Sequence, residues 1–196
     1  MQIVFFSIGN PGRMNRHSTG HYVLQHLVSD FGATQLVKKG KYSITSLDNV
    51  MFVKSNAYMN ESGESLRAFL GNEKIRQCIL VVLFDDFELV MPKVRLQRLK
   101  QNESHNGIKS IGREIQSQNI EALKLGVGIG PKPQNASRDS MASWVLSDFK
   151  LEEKQLLSTS LQTIYKYVEH IISSDGEIGD CNKLNSRITK QMSVSD

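Results

Sequence analysis

His17 follows Arg16 just ahead of a helical pattern, and imidazole is the side chain best suited to take a proton near neutral pH. Asp85 ends an apolar run, where a carboxylate can orient a histidine and stabilise its charged form. Asn10, Asn60 and Asn106 each stand beside glycine or at the start of a helical pattern. An amide offers donors and acceptors without changing charge, so it can grip a peptide group or a developing oxyanion. Together these five residues have the chemistry of an acid–base hydrolysis. Each also has a plainer reading. His17 serves as an exposed loop histidine, Asp85 as a cap or a lysine's partner, and the asparagines as turn and helix-cap residues.

The elements that must position them alternate along the chain. Gln2 to Ile8 reads as a buried strand and runs into the turn Gly9-Asn10-Pro11-Gly12. Val23, Leu24, Leu27, Val28 and Phe31 recur at helical steps after His17, with Ser18 or Thr19 as a cap. Tyr42–Leu47 and Val50–Lys54 read as a hairpin around Asp48-Asn49, and Leu66, Phe69 and Leu70 mark a short helix. Ile79 to Phe84 is apolar throughout, the pattern of a strand buried on both faces, and it delivers Asp85 at its C-terminal end. Val94 to Leu99 reads as a half-buried strand, Ile108, Ile111 and Ile115 as a helix, and Leu123 to Ile129 as another strand. Leu157, Leu161, Ile164, Val168 and Ile171 mark a long amphipathic helix.

This order predicts one α/β domain over residues 1–173, a mixed and mostly parallel sheet flanked by helices. Residues 174–196 are polar and patternless and are expected to form a flexible tail. In such a sheet, sites gather at the C-terminal ends of strands, which is where Asn10 and Asp85 fall.

With 196 residues the chain is long enough to bury a sizeable core, and 39% hydrophobic and 22% charged residues are ordinary for a globular protein. A net charge of +4 suits an anionic partner without naming one. Cys78 and Cys181 imply no disulfide framework, so a reducing compartment is the simpler expectation. No Cys/His cluster has zinc-ligand spacing, and no secretory leader or membrane-length apolar run is present. Neither a metal, a cofactor nor a membrane is expected.

From Lys93 to Arg113 the chain carries Lys93, Arg95, Arg98, Lys100, Lys109 and Arg113 against one acid, Glu103. That stripe reads either as a phosphate-binding face or as the solvated side of an edge strand. The phosphate-loop pattern and the Gly-x-Ser-x-Gly elbow are both absent.

Several short motifs occur in one register: Ile8-Gly9-Asn10-Pro11-Gly12, Arg16-His17-Ser18-Thr19-Gly20, Tyr58-Met59-Asn60-Glu61-Ser62-Gly63, Asp85 after its apolar run, His105-Asn106-Gly107, Leu125-Gly126-Val127-Gly128 and Trp144-Val145-Leu146-Ser147-Asp148-Phe149. In this set the sequence resembles the bacterial-type peptidyl-tRNA hydrolases over roughly residues 1 to 170. The resemblance implies a metal-free esterase that cuts a peptide from the 3′ ribose of tRNA. It makes His17 the base, Asp85 its supporting carboxylate and Asn10 the discriminator of blocked from free aminoacyl-tRNA. Tyr58, Asn60 and Asn106 would contact the peptide or the acceptor end, and Lys124, Arg95 and Arg98 the phosphates. It further implies a monomer whose partner is peptidyl-tRNA, in the cytoplasm or, as the alternative, the mitochondrion. The chain departs from the family in a shortened segment before His17, in Ser18 where asparagine is usual, and in Gln97 at one of two phosphate-gripping positions, Lys124 holding the other. A catalytically silent RNA-binding relative of the same fold is the competing reading.

Overall fold

The computed structural model describes residues 1–116, 118 and 120–193. Seven strands form one sheet: β1 (Ile3–Ser7), β2 (Val37–Lys39), β3 (Tyr42–Leu47), β4 (Val50–Ser55), β5 (Ile79–Val90), β6 (Val94–Arg98) and β7 (Glu121–Gly130). Their order across the sheet is β2-β3-β4-β1-β5-β7-β6. The centre is parallel, with β1 between β4 and β5 and β5 beside β7. The outer pairs β2/β3, β3/β4 and β6/β7 are antiparallel. The helices are α1 (Thr19–Asp30), α2 (Ser62–Asn72), α3 (Asn106–Ile115), α4 (Arg138–Val145), α5 (Leu151–Ser173) and α6 (Cys181–Ser193).

The continuous apolar runs make sense because both faces of the sheet are covered. Ile3 and Phe5 of β1 and Ile79, Val81 and Leu83 of β5 pack with α1, α5 and α6. Their alternates Val4, Phe6, Leu80, Val82 and Phe84 pack with α2 and α3. Side chains alternate along a strand, so a central strand with two covered faces has no polar position left to offer. Both cysteines are free, and no helix of the described residues is long and apolar enough to cross a membrane.

Three differences from the sequence expectations matter. First, β5 does not stop at Phe84. It continues through Asp85, opposite Val127, and Asp86, opposite Gly128, and rejoins β7 after a register shift at Val90. A side chain at position 128 would strike the carbonyls of Leu89 and Val90, so glycine admits the continuing backbone there. Second, α4 occupies residues 138–145, where no element was read: the stretch is short and only Val145 of its eight residues is buried. Third, the expected flexible tail is corrected in part: residues 181–193 form α6, with Leu184 and Ile188 buried. The Asn185 amide accepts from the Leu96 N–H at 3.0 Å and donates to the Leu96 carbonyl at 2.9 Å, standing in for a neighbouring strand on edge strand β6. Cys181, Leu184, Ile188 and Met192 recur at helical steps, and that stripe is the signal that could have found this helix among its polar neighbours.

Candidate functional site

β1 delivers the chain to Gly9-Asn10, and the 3-10 turn Arg16–Ser18 carries His17 back beside it, with the Asn10 N–H bonded to the His17 carbonyl at 3.3 Å. A Cβ at position 9 would lie 2.8–2.9 Å from the His21 ring and the His17 carbonyl, so only glycine permits this approach. Asp85, fully buried on β5, accepts from His17 Nδ1 at 2.7 Å through Oδ2. His17 Nδ1 therefore bears the proton of the neutral ring. Its Nε2 has no protein partner among the described residues, and the ring lines an open cleft of about 810 Å³.

A second imidazole shares the carboxylate. His105, 5% exposed, faces Asp85 Oδ1 through Nε2 at 3.4 Å, a close contact without hydrogen-bond geometry, and neither atom has a hydrogen-bonding partner. His105 is also the N-cap of α3, its Nδ1 accepting from the Ile108 N–H at 3.4 Å. That bond occupies the Nδ1 lone pair and puts the ring proton on Nε2, pointing at the carboxylate. Burial pushes the Asp85 carboxyl up, but His105 and then His17 outweigh it and hold it down at about 2. Asp85 is thus a permanent anion between two imidazoles. Ligand-type atoms of His17, Asp85 and His105 lie within 4.8 Å of one another, a set that by residue type could hold a metal ion. As bonded here, His17 and His105 both present protons rather than lone pairs to Asp85, which suits a hydrogen-bonded relay better than a ligand set.

The cleft gathers most of the sequence candidates. Asn10, His17, Tyr58, Asn60 and Asn106 all line it. The Asn10 Oδ1 accepts from the Met59 N–H at 2.9 Å, which anchors the 3-10 turn Met59–Glu61 carrying Asn60. Tyr58 is 62% exposed at the rim. Met141, Ala142, Val145 and Leu146, from α4 and its C-terminal end, supply an apolar wall that the sequence reading missed. His105 was seen only as part of a motif. Its proximity to the strand that bears Asp85 depends on long-range contacts that no local spacing reveals.

The candidate phosphate contacts are placed differently. Arg95 and Lys124 line a small recess beside the cleft that also holds Asp86, Glu103 and His105. Arg95 pairs with Asp86 at 3.0 Å and Lys124 with Glu103 at 2.5 Å, the latter pair 11% and 8% exposed. Arg98 pairs with Glu121 on the outer strands, away from the cleft. By contrast, Lys100, Lys109 and Arg113 are exposed, make no ion pair among the described residues and border a groove of about 600 Å³ along α3.

Comparison with known proteins gives a consistent result. The sequence model of one family, described as peptidyl-tRNA hydrolase, matches residues 4–192. A peptidyl-tRNA hydrolase of Prochlorococcus marinus (strain MIT 9301) is 30% identical over 193 residues, covering 94% of this chain and 97% of that protein. One from Synechococcus elongatus is 29% identical over 92% of this chain and 90% of its own length. Among solved structures, the peptidyl-tRNA hydrolase of Acinetobacter baumannii superposes with a TM-score of 0.75 over 94% of each chain at 20% identity, which establishes the shared fold.

Proposed function

The chain belongs to the peptidyl-tRNA hydrolase family, and on that premise we propose that its cleft hydrolyses the ester between a peptide and the 3′ ribose of tRNA through His17 and Asp85. The observation that carries this reading is the 2.7 Å bond from His17 Nδ1 to a fully buried carboxylate, which leaves Nε2 open to the cleft.

The steps follow from those positions. A water molecule gives its proton to His17 Nε2 as its oxygen attacks the ester carbonyl. Asp85, already an anion, stabilises the imidazolium that forms. The amides of Asn60 and Asn106 offer donors for the negative charge gathering on the carbonyl oxygen. When the tetrahedral centre collapses, the bond to the ribose oxygen breaks, and the imidazolium returns its proton to that oxygen. The products are tRNA with a free 3′ hydroxyl and a peptide carboxylic acid, which loses its proton to solvent to become the carboxylate. Asn10, held by Met59, reads the α-nitrogen of the last residue as a neutral group.

Phosphate recognition falls to the unpaired cations Lys100, Lys109 and Arg113 rather than to Lys124, Arg95 and Arg98, whose charges are already matched inside the protein. The protein acts as a monomer in the cytoplasm in this reading.

Purified protein given N-acetylaminoacyl-tRNA and unblocked aminoacyl-tRNA tests it. Release of tRNA from the blocked substrate, little from the unblocked one and no change on adding a chelator are expected. Binding of tRNA without release would favour a silent RNA-binding relative. Loss of turnover with chelator, restored by a divalent ion, would put a metal on His17, Asp85 and His105.

A further inference from the structure

Arg16 is 4% exposed, an unusual place for a guanidinium, and it stands next to the base in the same three-residue turn. Its partners all come from one place, the corner between α4 and α5. Nη1 donates to the Ser147 carbonyl at 3.3 Å, to Ser147 Oγ at 3.0 Å and to the Asp148 carbonyl at 2.5 Å. Nη2 donates to both Glu153 carboxylate oxygens, at 2.6 and 2.7 Å. The guanidinium lies 5.3 Å from the Trp144 ring centre and 5.0 Å from that of Phe149. Its backbone N–H also bonds to the Ser147 carbonyl, at 3.2 Å.

This corner adjoins α4, which with Leu146 gives the cleft its apolar wall. A three-residue 3-10 turn has little rigidity of its own. Here it is pinned on one side by the guanidinium and on the other by the His17–Asp85 bond. We propose that Arg16 is a positioning residue for His17, tying the base to the α4 wall so that the wall which meets the substrate and the group that activates water hold one geometry. This rests on the esterase reading for its effect on turnover, but the geometric part stands independently of it. The guanidinium, not merely a positive charge, is required, because only a planar fork reaches Ser147, Asp148 and Glu153 together while lying near two aromatic rings.

The test uses the full chain with Arg16→Ala and Glu153→Gln, each checked for folding by circular dichroism. The primary readout is the downfield resonance of the His17 Nδ1 proton, which reports its bond to Asp85 and needs no turnover. In both variants it should weaken or shift. For folded Arg16→Ala, kcat should fall about 10- to 100-fold, the scale of a base displaced by about 1 Å, with KM for a short blocked ester changed far less. Added methylguanidinium should recover part of kcat, since Glu153 and the two rings remain to hold it. Glu153→Gln should show the same pattern more weakly, and it carries the test alone if Arg16→Ala does not fold. An unaltered His17 resonance in the folded variant overturns the proposal whatever the turnover. So does a loss of activity that merely tracks the unfolded fraction. A wild-type chain inactive on peptidyl-tRNA would instead overturn the esterase reading and leave the resonance to decide the role of Arg16.

Discussion

Two charged regions lie side by side at the C-terminal edge of the sheet, and they are satisfied in opposite ways. Around Asp85, one buried carboxylate is bonded to the His17 ring and faces that of His105, yet His17 Nε2, Asn60 and Asn106 remain open to the cleft. In the recess next to it, Arg95 meets Asp86 and Lys124 meets Glu103, while Arg98 meets Glu121 farther out. The first region is preorganised but incomplete, as a reacting site must be. The second is complete without a ligand. An anion reaching Lys124 would first have to displace a carboxylate held at 2.5 Å in a nearly buried place. Residue type and position along the chain look alike in the two regions; what separates them is whether the partner is already present.

The largest effects are expected in the open region. His17→Ala should lower kcat about 10²- to 10⁴-fold, the usual contribution of a general base, and leave tRNA binding nearly intact. Asp85→Asn should cost about 10- to 100-fold, because the amide keeps the shape but not the charge that steadies the imidazolium. Single-turnover kinetics beside a tRNA-binding isotherm measures both. If Lys124→Glu damaged turnover as much as His17→Ala while leaving the fold intact, the contrast between the regions would be lost.

Next come the cations. Lys109→Glu and Arg113→Glu should weaken tRNA binding and each flatten its salt dependence by nearly one unit of log–log slope, with thermal stability kept. Lys124→Glu should act in the reverse order. It leaves two carboxylates together in a place about one-tenth exposed and should cost about 3–5 kcal/mol of stability before any effect on binding is seen. Salt titrations of tRNA affinity together with urea melts separate the two patterns.

The site was legible in the sequence to the extent that chemistry follows type and strand order. His17, Asn10, Tyr58, Asn60 and Asn106 line one cleft, with Asp85 buried behind His17, near the strand ends where the alternation of strands and helices put Asn10 and Asp85. The pairings were not legible. Glu103 lies 21 residues before Lys124, and Asp86 nine before Arg95, and which acid takes which cation is set by β5, β6 and β7 lying together. The sheet was readable because two covered faces leave unbroken apolar runs such as Ile79 to Phe84. The apolar wall on α4 was not: Met141, Trp144 and Val145 stand at helical spacing, but eight residues are too short a stretch for that spacing to separate a helix from a loop. Arg16 drew no role of its own in the sequence, since nothing near it announces Glu153.

Smaller effects refine the contrast. Asn10→Asp keeps the acceptor for the Met59 N–H, so the fold should survive, and adds a negative charge where a free amine would sit. The preference for N-acetylated over unblocked substrate should fall by up to about fivefold, the equivalent of ~1 kcal/mol for a partly solvated pair. An unchanged ratio of kcat/KM values would move discrimination away from Asn10. His21 lies beneath the same loop, bonded to Ser7 at 2.8 Å. Burial, then the charge of Lys54, depresses its pKa to about 3. A histidine depressed in the folded state favours folding fully above its unfolded pKa near 6.5, and that stability is lost as pH falls from there towards 3. The wild type should therefore lose roughly 1 kcal/mol per pH unit over that window beyond the loss in a folded His21→Gln variant. Equal slopes in urea melts from pH 7 to pH 4 would remove His21 from the acid response.

The step that all of this serves is attack by water on the acyl carbon, and isotopically labelled water reads it directly. Wild-type protein should cleave N-acetylaminoacyl-tRNA in a single turnover in ¹⁸O water, and His17→Ala should not. Label should appear in the carboxylate of the released N-acetyl amino acid and be absent from the 3′ oxygen of the tRNA. Label in the tRNA oxygen, or equal release by the His17→Ala variant, would show that the cleft does not work through a histidine-activated water on the ester carbonyl.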